Sequence, residues 1–132
     1  MFYGPTNLPL EAKALQKPRR FSMAVELLPE KESYYRELHA NVWPSILSRL
    51  EKSHIRNYSI SIAPLAGRRY LIAYFEYWGD DFAADSSAIA ADPETQRWWK
   101  ETDPCQLPLE GREPSQQWLQ LEEVFYFDHL PA

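Results

Sequence analysis

Tyr70-Leu71-Ile72-Ala73-Tyr74-Phe75-Glu76-Tyr77-Trp78 reads as a β-strand that is apolar on both faces, so both faces need a cover. Just upstream, Tyr58, Ile60 and Ile62 alternate with Asn57, Ser59 and Ser61, the period of a second strand. Pro64 and Gly67 lie between the two and supply turn chemistry, which predicts a hairpin. Further upstream, Phe21, Met23, Val25 and Leu27 alternate with Ser22, Ala24 and Glu26 as a first strand. Between that strand and the hairpin, Pro29 opens a helical segment reaching to about Lys52, with Leu38, Val42, Ile46, Leu47 and Leu50 at helical spacing. Pro44 interrupts it: proline cannot donate to the Ala40 carbonyl and pushes Trp43 out of helical geometry, so a kink or break is expected between Ala40 and Trp43.

Downstream of the hairpin, Ala83 to Ala91 is alanine-rich with Asp80 or Asp81 as a cap, and Asp92-Pro93 restarts a short helix that carries Trp98 and Trp99. A proline-bearing loop from Pro104 to Pro114 follows, and Trp118 to Phe127 alternates as a last strand. The order βαββαβ predicts a ferredoxin-like α+β sandwich, with the helices on one side of an antiparallel sheet. The other side then stays bare unless a second copy covers it, and the two-sided strand favours a homodimer packed sheet to sheet, a dimeric α+β barrel. One domain over residues 19–130, preceded by an extension over residues 1–18, fits a chain of 132 residues.

The net charge of −5 argues against a nucleic-acid surface, which needs clustered Lys and Arg. Residues Met1 through Lys17 carry Pro5, Pro9, Glu11 and Lys13 where an export signal needs an unbroken apolar run. No stretch approaches the roughly 20 apolar residues of a membrane helix. Cys105 is the single cysteine, so no internal disulfide is available and a reducing, cytoplasmic setting is expected. Glycine-rich phosphate loops, metal-ligand spacings and a serine nucleophile elbow are all missing, and the reaction is expected to need no cofactor and no metal.

Chemistry concentrates in Tyr35-x-x-x-His39-x-x-x-Trp43-Pro44, where a phenol and an imidazole four residues apart share one helix face. His39 titrates near neutrality and serves as acid or base; a helix starting at Pro44 would favour its neutral form. Tyr35 and Tyr58 offer hydroxyls to a polyol. Trp98 and Trp99 point about 100° apart on a helix, so one can stack on a sugar while the other packs inside. Glu76, set in an apolar strand, is the carboxylate expected to be buried and partnered; it can support the site or simply satisfy a core hydrogen bond. Cys105 has no basic neighbour in sequence, and His54 and His129 read as structural or solvated.

At these residues the chain resembles the L-rhamnose mutarotase family. The histidine helix, Arg56-Asn57-Tyr58-Ser59-Ile60, Phe75-Glu76-Tyr77, Gln96-Arg97-Trp98-Trp99 and Glu122-Glu123-Val124-Phe125 look like its signatures in order, over roughly Arg20 to Asp128. The resemblance implies a dimeric α+β barrel that interconverts sugar anomers, with His39 as proton donor and Tyr35, Tyr58, Trp98 and Trp99 in contact with the sugar. The Asp103-Pro104-Cys105-Gln106 segment and the loop after it depart from the rhamnose-specific pattern, which leaves an L-fucose-type substrate as an alternative. A cofactor-free oxygenase and a sugar sensor on the same architecture are the other readings.

Overall fold

A computed structural model describes residues 17–127. Strand β1 (Arg19–Leu27) leads through a short turn at Pro29–Lys31 into helix α1 (Glu32–Ala40). Helix α2 (Pro44–Lys52) is separate, and the break falls where Pro44 predicts it: Asn41 leaves helical geometry and Trp43 is extended with φ −60° and ψ 134°. Then come β2 (Ile55–Leu65), β3 (Arg68–Tyr77), α3 (Phe82–Ala91) and α4 (Pro93–Thr102). Asp81 caps α3 by accepting from the Ala84 N–H, and Asp92 caps α4 by accepting from both the N–H and the hydroxyl of Thr95. Asp80 instead pairs with Lys17.

The sheet order is β2-β3-β1, antiparallel throughout, and two short strands share the outer edge of β1. These are β4 (Gln106–Leu107), opposite Glu26 and Leu27, and β5 (Leu119–Gln120), opposite Met23 and Ala24. The architecture is the expected ferredoxin-like α+β sandwich. The last strand is much shorter than the alternation from Trp118 to Phe127 suggests: after the Leu121 N–H bonds the Ser22 carbonyl, residues 121–127 form no ladder. The segment stays beside β1 through its side chains, Arg20 gripping both oxygens of Glu123 at 2.9 and 3.0 Å. Val124, Phe125 and Phe127 are largely exposed.

The hairpin turn also departs from expectation. Pro64 lies inside β2, opposite Arg69, on an edge strand where its missing N–H costs little. The turn is Ala66-Gly67, both at positive φ (51° and 76°), the backbone twist that suits a two-residue hairpin loop.

Val25, Leu27, Leu71, Tyr35 and Cys105 form the core between sheet and helices. The strand register puts Met23, Val25, Leu71, Ala73 and Phe75 on this helix-side face and Ser22, Ala24, Ile72, Tyr74 and Glu76 on the other. On β2 the alternation is broken once. Asn57 and Tyr58 together oppose the single residue Phe75, a β-bulge with Asn57 at φ 51°. That extra residue lets Ile55 and Tyr58, an odd number of positions apart, both face the helices.

Candidate active site

The break between α1 and α2 leaves His39 in the last turn of α1, one turn beyond Tyr35. Their rings stack with centroids 4.2 Å apart. Trp98, on α4, meets the imidazole edge-on at 5.3 Å and meets Trp43 edge-on at 5.0 Å, so four rings form a continuous wall. Arg97 covers the far side of Trp43 at 4.6 Å. Across the cleft the bulge turns Tyr58 inward, where it stacks on Phe75 at 5.4 Å.

Two adjoining lobes open on this wall, and Tyr35, His39, Tyr58, Ile60, Trp98 and Trp99 line both. One lobe, about 800 Å³, is otherwise mostly aliphatic, with Val42, Ile46, Leu50, Ile62 and Ile89 among its walls. The other, about 510 Å³, is polar and is lined by the segment between β4 and β5, which brings Arg112 and Gln117 beside Gln106 and Asp103, and by Gln120 of β5. A polar space edged by flat aromatic rings suits a compact polyol: hydroxyls find amides and phenols while a C–H face lies against a ring.

His39 is the titrating group on the wall. Its Nδ1 lies 2.9 Å from the Tyr35 carbonyl oxygen, which only accepts, so Nδ1 carries the proton and Nε2 keeps its lone pair. Burial lowers its pKa below the ordinary 6.5, outweighing the backbone contact that raises it. The neutral imidazole that the sequence attributes to the helix starting at Pro44 is therefore secured chiefly by desolvation. Burial raises the Tyr35 phenol well above its ordinary value, and although Tyr58 keeps 40% of its surface exposed, burial of its phenol pushes it up to about 12. Both hydroxyls hold their protons at neutral pH and can donate.

All five aromatic and imidazole residues singled out in the sequence meet here, and the tryptophan pair divides as expected: Trp98 is 7% exposed and Trp99 39%. Glu76 does not join them. It sits on the opposite face of the sheet, where it accepts from Asn57, Tyr74 and Trp78 at 2.8 to 3.0 Å. Desolvation raises its pKa, but these donors prevail and keep the carboxyl low. The more deeply buried strand carboxylate is Glu26, 9% exposed and paired with Arg68 at 3.2 Å. Cys105 is buried in the core, and burial raises its thiol pKa. His54 contacts Asp85 at 3.2 Å, away from the cavity, while His129 lies outside the described residues. Gln106, Arg112 and Gln117 escape a sequence reading, because β4 is a dipeptide and the loop after it has no periodicity.

The family model for L-rhamnose mutarotase matches residues 20–127. This chain belongs to that family. Among its relatives, an L-rhamnose mutarotase from Lactiplantibacillus plantarum is 32% identical over 100 residues, spanning 74% of this chain and 89% of its own. One from Bacillus subtilis is also 32% identical over 100 residues, spanning 75% and 88%. A third, from Oceanobacillus iheyensis, is 26% identical over 110 residues, spanning 83% and 99%. The crystal structure of an L-rhamnose mutarotase from Formosa agariphila superposes with a TM-score of 0.61 over 83% of this chain and 98% of that one, at 23% identity, which establishes the shared fold. Membership makes the protein an isomerase that acts on sugar anomers, a sugar mutarotase. Among the described residues, no helix is long and apolar enough to cross a membrane.

Proposed function

We propose that the protein interconverts the α and β anomers of an L-deoxyaldose, L-rhamnose first among them, by general acid–base opening and closure of the pyranose ring. The observation that carries this reading is the neutral, tautomerically fixed His39 in one wall with two protonated phenols and an exposed indole. Nε2 of His39 takes the proton from the anomeric hydroxyl as the C1–O5 bond breaks. The ring oxygen gains a proton from the acid side of the site, by way of a phenol or water. The aldehyde turns about C1–C2, the C5 hydroxyl attacks its other face, and the two protons return. Every proton removed is given back, so His39 ends each cycle neutral.

Tyr35 and Tyr58 hold the sugar hydroxyls, and Trp99, the more exposed indole, covers the C–H face while Trp98 buttresses His39. Glu76 supports the sheet from its far face. The reaction asks little of a catalyst, because it already proceeds in water; assistance of about 10²–10⁴-fold from one positioned imidazole suffices. The domain over residues 19–130 works as a homodimer in the cytoplasm, its partner covering the half-exposed Tyr70, Ile72 and Tyr74 and the exposed Val124, Phe125 and Phe127.

Saturation-transfer NMR of anomeric protons, with L-rhamnose, L-fucose and common aldoses, tests the proposal. Accelerated exchange of L-rhamnose at substoichiometric protein is the expected result. Acceleration of L-fucose alone would assign the fucose-type specificity instead, and no acceleration with any sugar would refute the assignment.

A further inference from the structure

Arg112, on the loop between β4 and β5, lines the polar lobe with a side chain that has nothing to bond. Every other arginine among the described residues has a carboxylate, a hydroxyl, a carbonyl or an aromatic ring as its partner. Arg112 has none of these among the described residues. Glu110 and Glu113, its nearest carboxylates in sequence, leave it unpaired, and so does Asp103, which lines the same lobe. Its Nε is buried without an acceptor. A buried N–H with no acceptor costs free energy on folding, and a surface arginine avoids that cost by swinging its head into water. Arg112 stays half-buried, so packing holds its stem and fixes the plane of its head beside the lobe.

The loop is shaped to keep it there. Gly111 just before it has φ 91°, a backbone that any side chain would strain. Just after it, the Gln116 N–H closes a turn onto the Glu113 carbonyl at 2.9 Å. The Gln117 amide then meets that of Gln106 at 3.2 Å, and Trp118 packs against the core. A donor kept unpaired at the wall of a polar cavity fits a partner that arrives with the ligand.

On the mutarotase reading above, we propose that Arg112 is a specificity-determining residue whose guanidinium donates to hydroxyl oxygens of a neutral sugar in the polar lobe. A guanidinium has five N–H donors and no acceptor, so its partner must offer oxygen lone pairs, as hydroxyls and carboxylates both do. Asp103 decides between them. It brings a negative charge to the same space, which an anionic sugar would meet with its own sign. A neutral polyol instead gives oxygens to Arg112 and keeps hydroxyl protons for the acceptors around it.

The test pairs substitutions with substrates. Arg112→Met keeps the stem and removes every donor, while Arg112→Lys keeps the charge and loses the planar fork. Saturation-transfer NMR follows anomer exchange of L-rhamnose and of its monodeoxy forms lacking the C2, C3 or C4 hydroxyl, or of the matching L-fucose series if wild type prefers that sugar. Arg112→Met should raise KM about tenfold, the worth of one charge-assisted hydrogen bond, and leave kcat within about threefold, because His39 stays on its own helix. With wild type, one deoxy form should lose about tenfold in kcat/KM; with Arg112→Met the same deletion should cost nothing further. A merely structural role gives no such coupling. Arg112→Lys should fall between, and the thermal midpoint of Arg112→Met should hold or rise, since an unpaired buried N–H leaves with the guanidinium.

An unchanged KM in Arg112→Met, or equal deoxy losses in variant and wild type, overturns the contact while leaving wild-type mutarotation intact. D-Glucuronate exchanged faster than D-glucose by wild type, with the advantage lost in Arg112→Met, overturns the neutral-hydroxyl assignment. Wild-type protein that accelerates no sugar overturns the mutarotase reading, and the contact with it.

Discussion

His39→Ala should separate chemistry from fold more cleanly than any other substitution. The side chain sits in the last turn of a helix, its Nδ1–H held 2.9 Å from the Tyr35 carbonyl, and among the described residues no other imidazole lines either lobe. Alanine removes the base, while the helix loses a half-buried ring and gains a better helix former, so the expected cost in stability is about 1 kcal/mol. Loss of one general base lowers kcat/KM by about 10²–10⁴, or roughly 2.7–5.4 kcal/mol of transition-state stabilisation. The pH profile sharpens the test. Burial depresses the His39 pKa, so wild-type activity should hold from pH 8 down past 6.5 and fall only below it, whereas the variant's residual rate should show no such acid limb. Stability follows the same sign: a depressed folded pKa contributes stability that is full above the unfolded pKa near 6.5 and is lost as pH falls through the folded value, so acid unfolding of His39→Ala should be less steep there. Anomer exchange by saturation transfer gives the rates, and exogenous imidazole should restore part of them by entering the space left. A variant within threefold of wild type, or one that keeps the acid limb, refutes His39 as the base.

Trp99→Ala should raise KM roughly twofold to tenfold, the loss of about 0.5–1.5 kcal/mol of stacking, with near-normal stability because the side chain is 39% exposed; steady-state kinetics and thermal melts check both halves. Leu71→Ala empties a fully buried core position beside Tyr35 and should cost about 2–5 kcal/mol, read from the urea midpoint; a cost below 1 kcal/mol would show that the core is misplaced. Ala66→Asn should stabilise by about 1 kcal/mol, since alanine at φ 51° is strained where asparagine is tolerated; unchanged stability in the same assay would contradict the turn geometry.

The sequence carries the regular elements openly because burial repeats with their period. Phe21 to Leu27 announces by its alternation which side chains share one buried face, Tyr70 to Trp78 announces that both its faces need a cover, and Pro44 announces where the helical segment breaks, since the missing N–H acts locally. What it hides are features decided by a neighbour. The final strand from Trp118 to Phe127 has the right alternation, yet only Leu119 and Gln120 join the ladder, because alternation reports a preference for two faces and not the presence of a partner. Glu76 illustrates the same point: an acidic residue in an apolar strand must be satisfied, but the strand's parity sends it to the face opposite the cavity, where Asn57, Tyr74 and Trp78 meet it.

The bulge at Asn57 joins the two kinds of information. Counted from Ile55, strict alternation turns Tyr58 away from His39; counted from Ile62, it turns Tyr58 toward it, and only the extra residue opposite Phe75 lets both counts hold. Asn57 suits the position because its side chain tolerates the left-handed backbone and bonds Glu76 at 2.8 Å. Glu76 thus reaches the site after all, though through the backbone. It anchors the residue whose conformation aims Tyr58, from the far side of the sheet. Weakening that anchor should move the affinity for sugar before it moves the chemistry at His39, because the phenol is displaced while the imidazole stays fixed to its own helix.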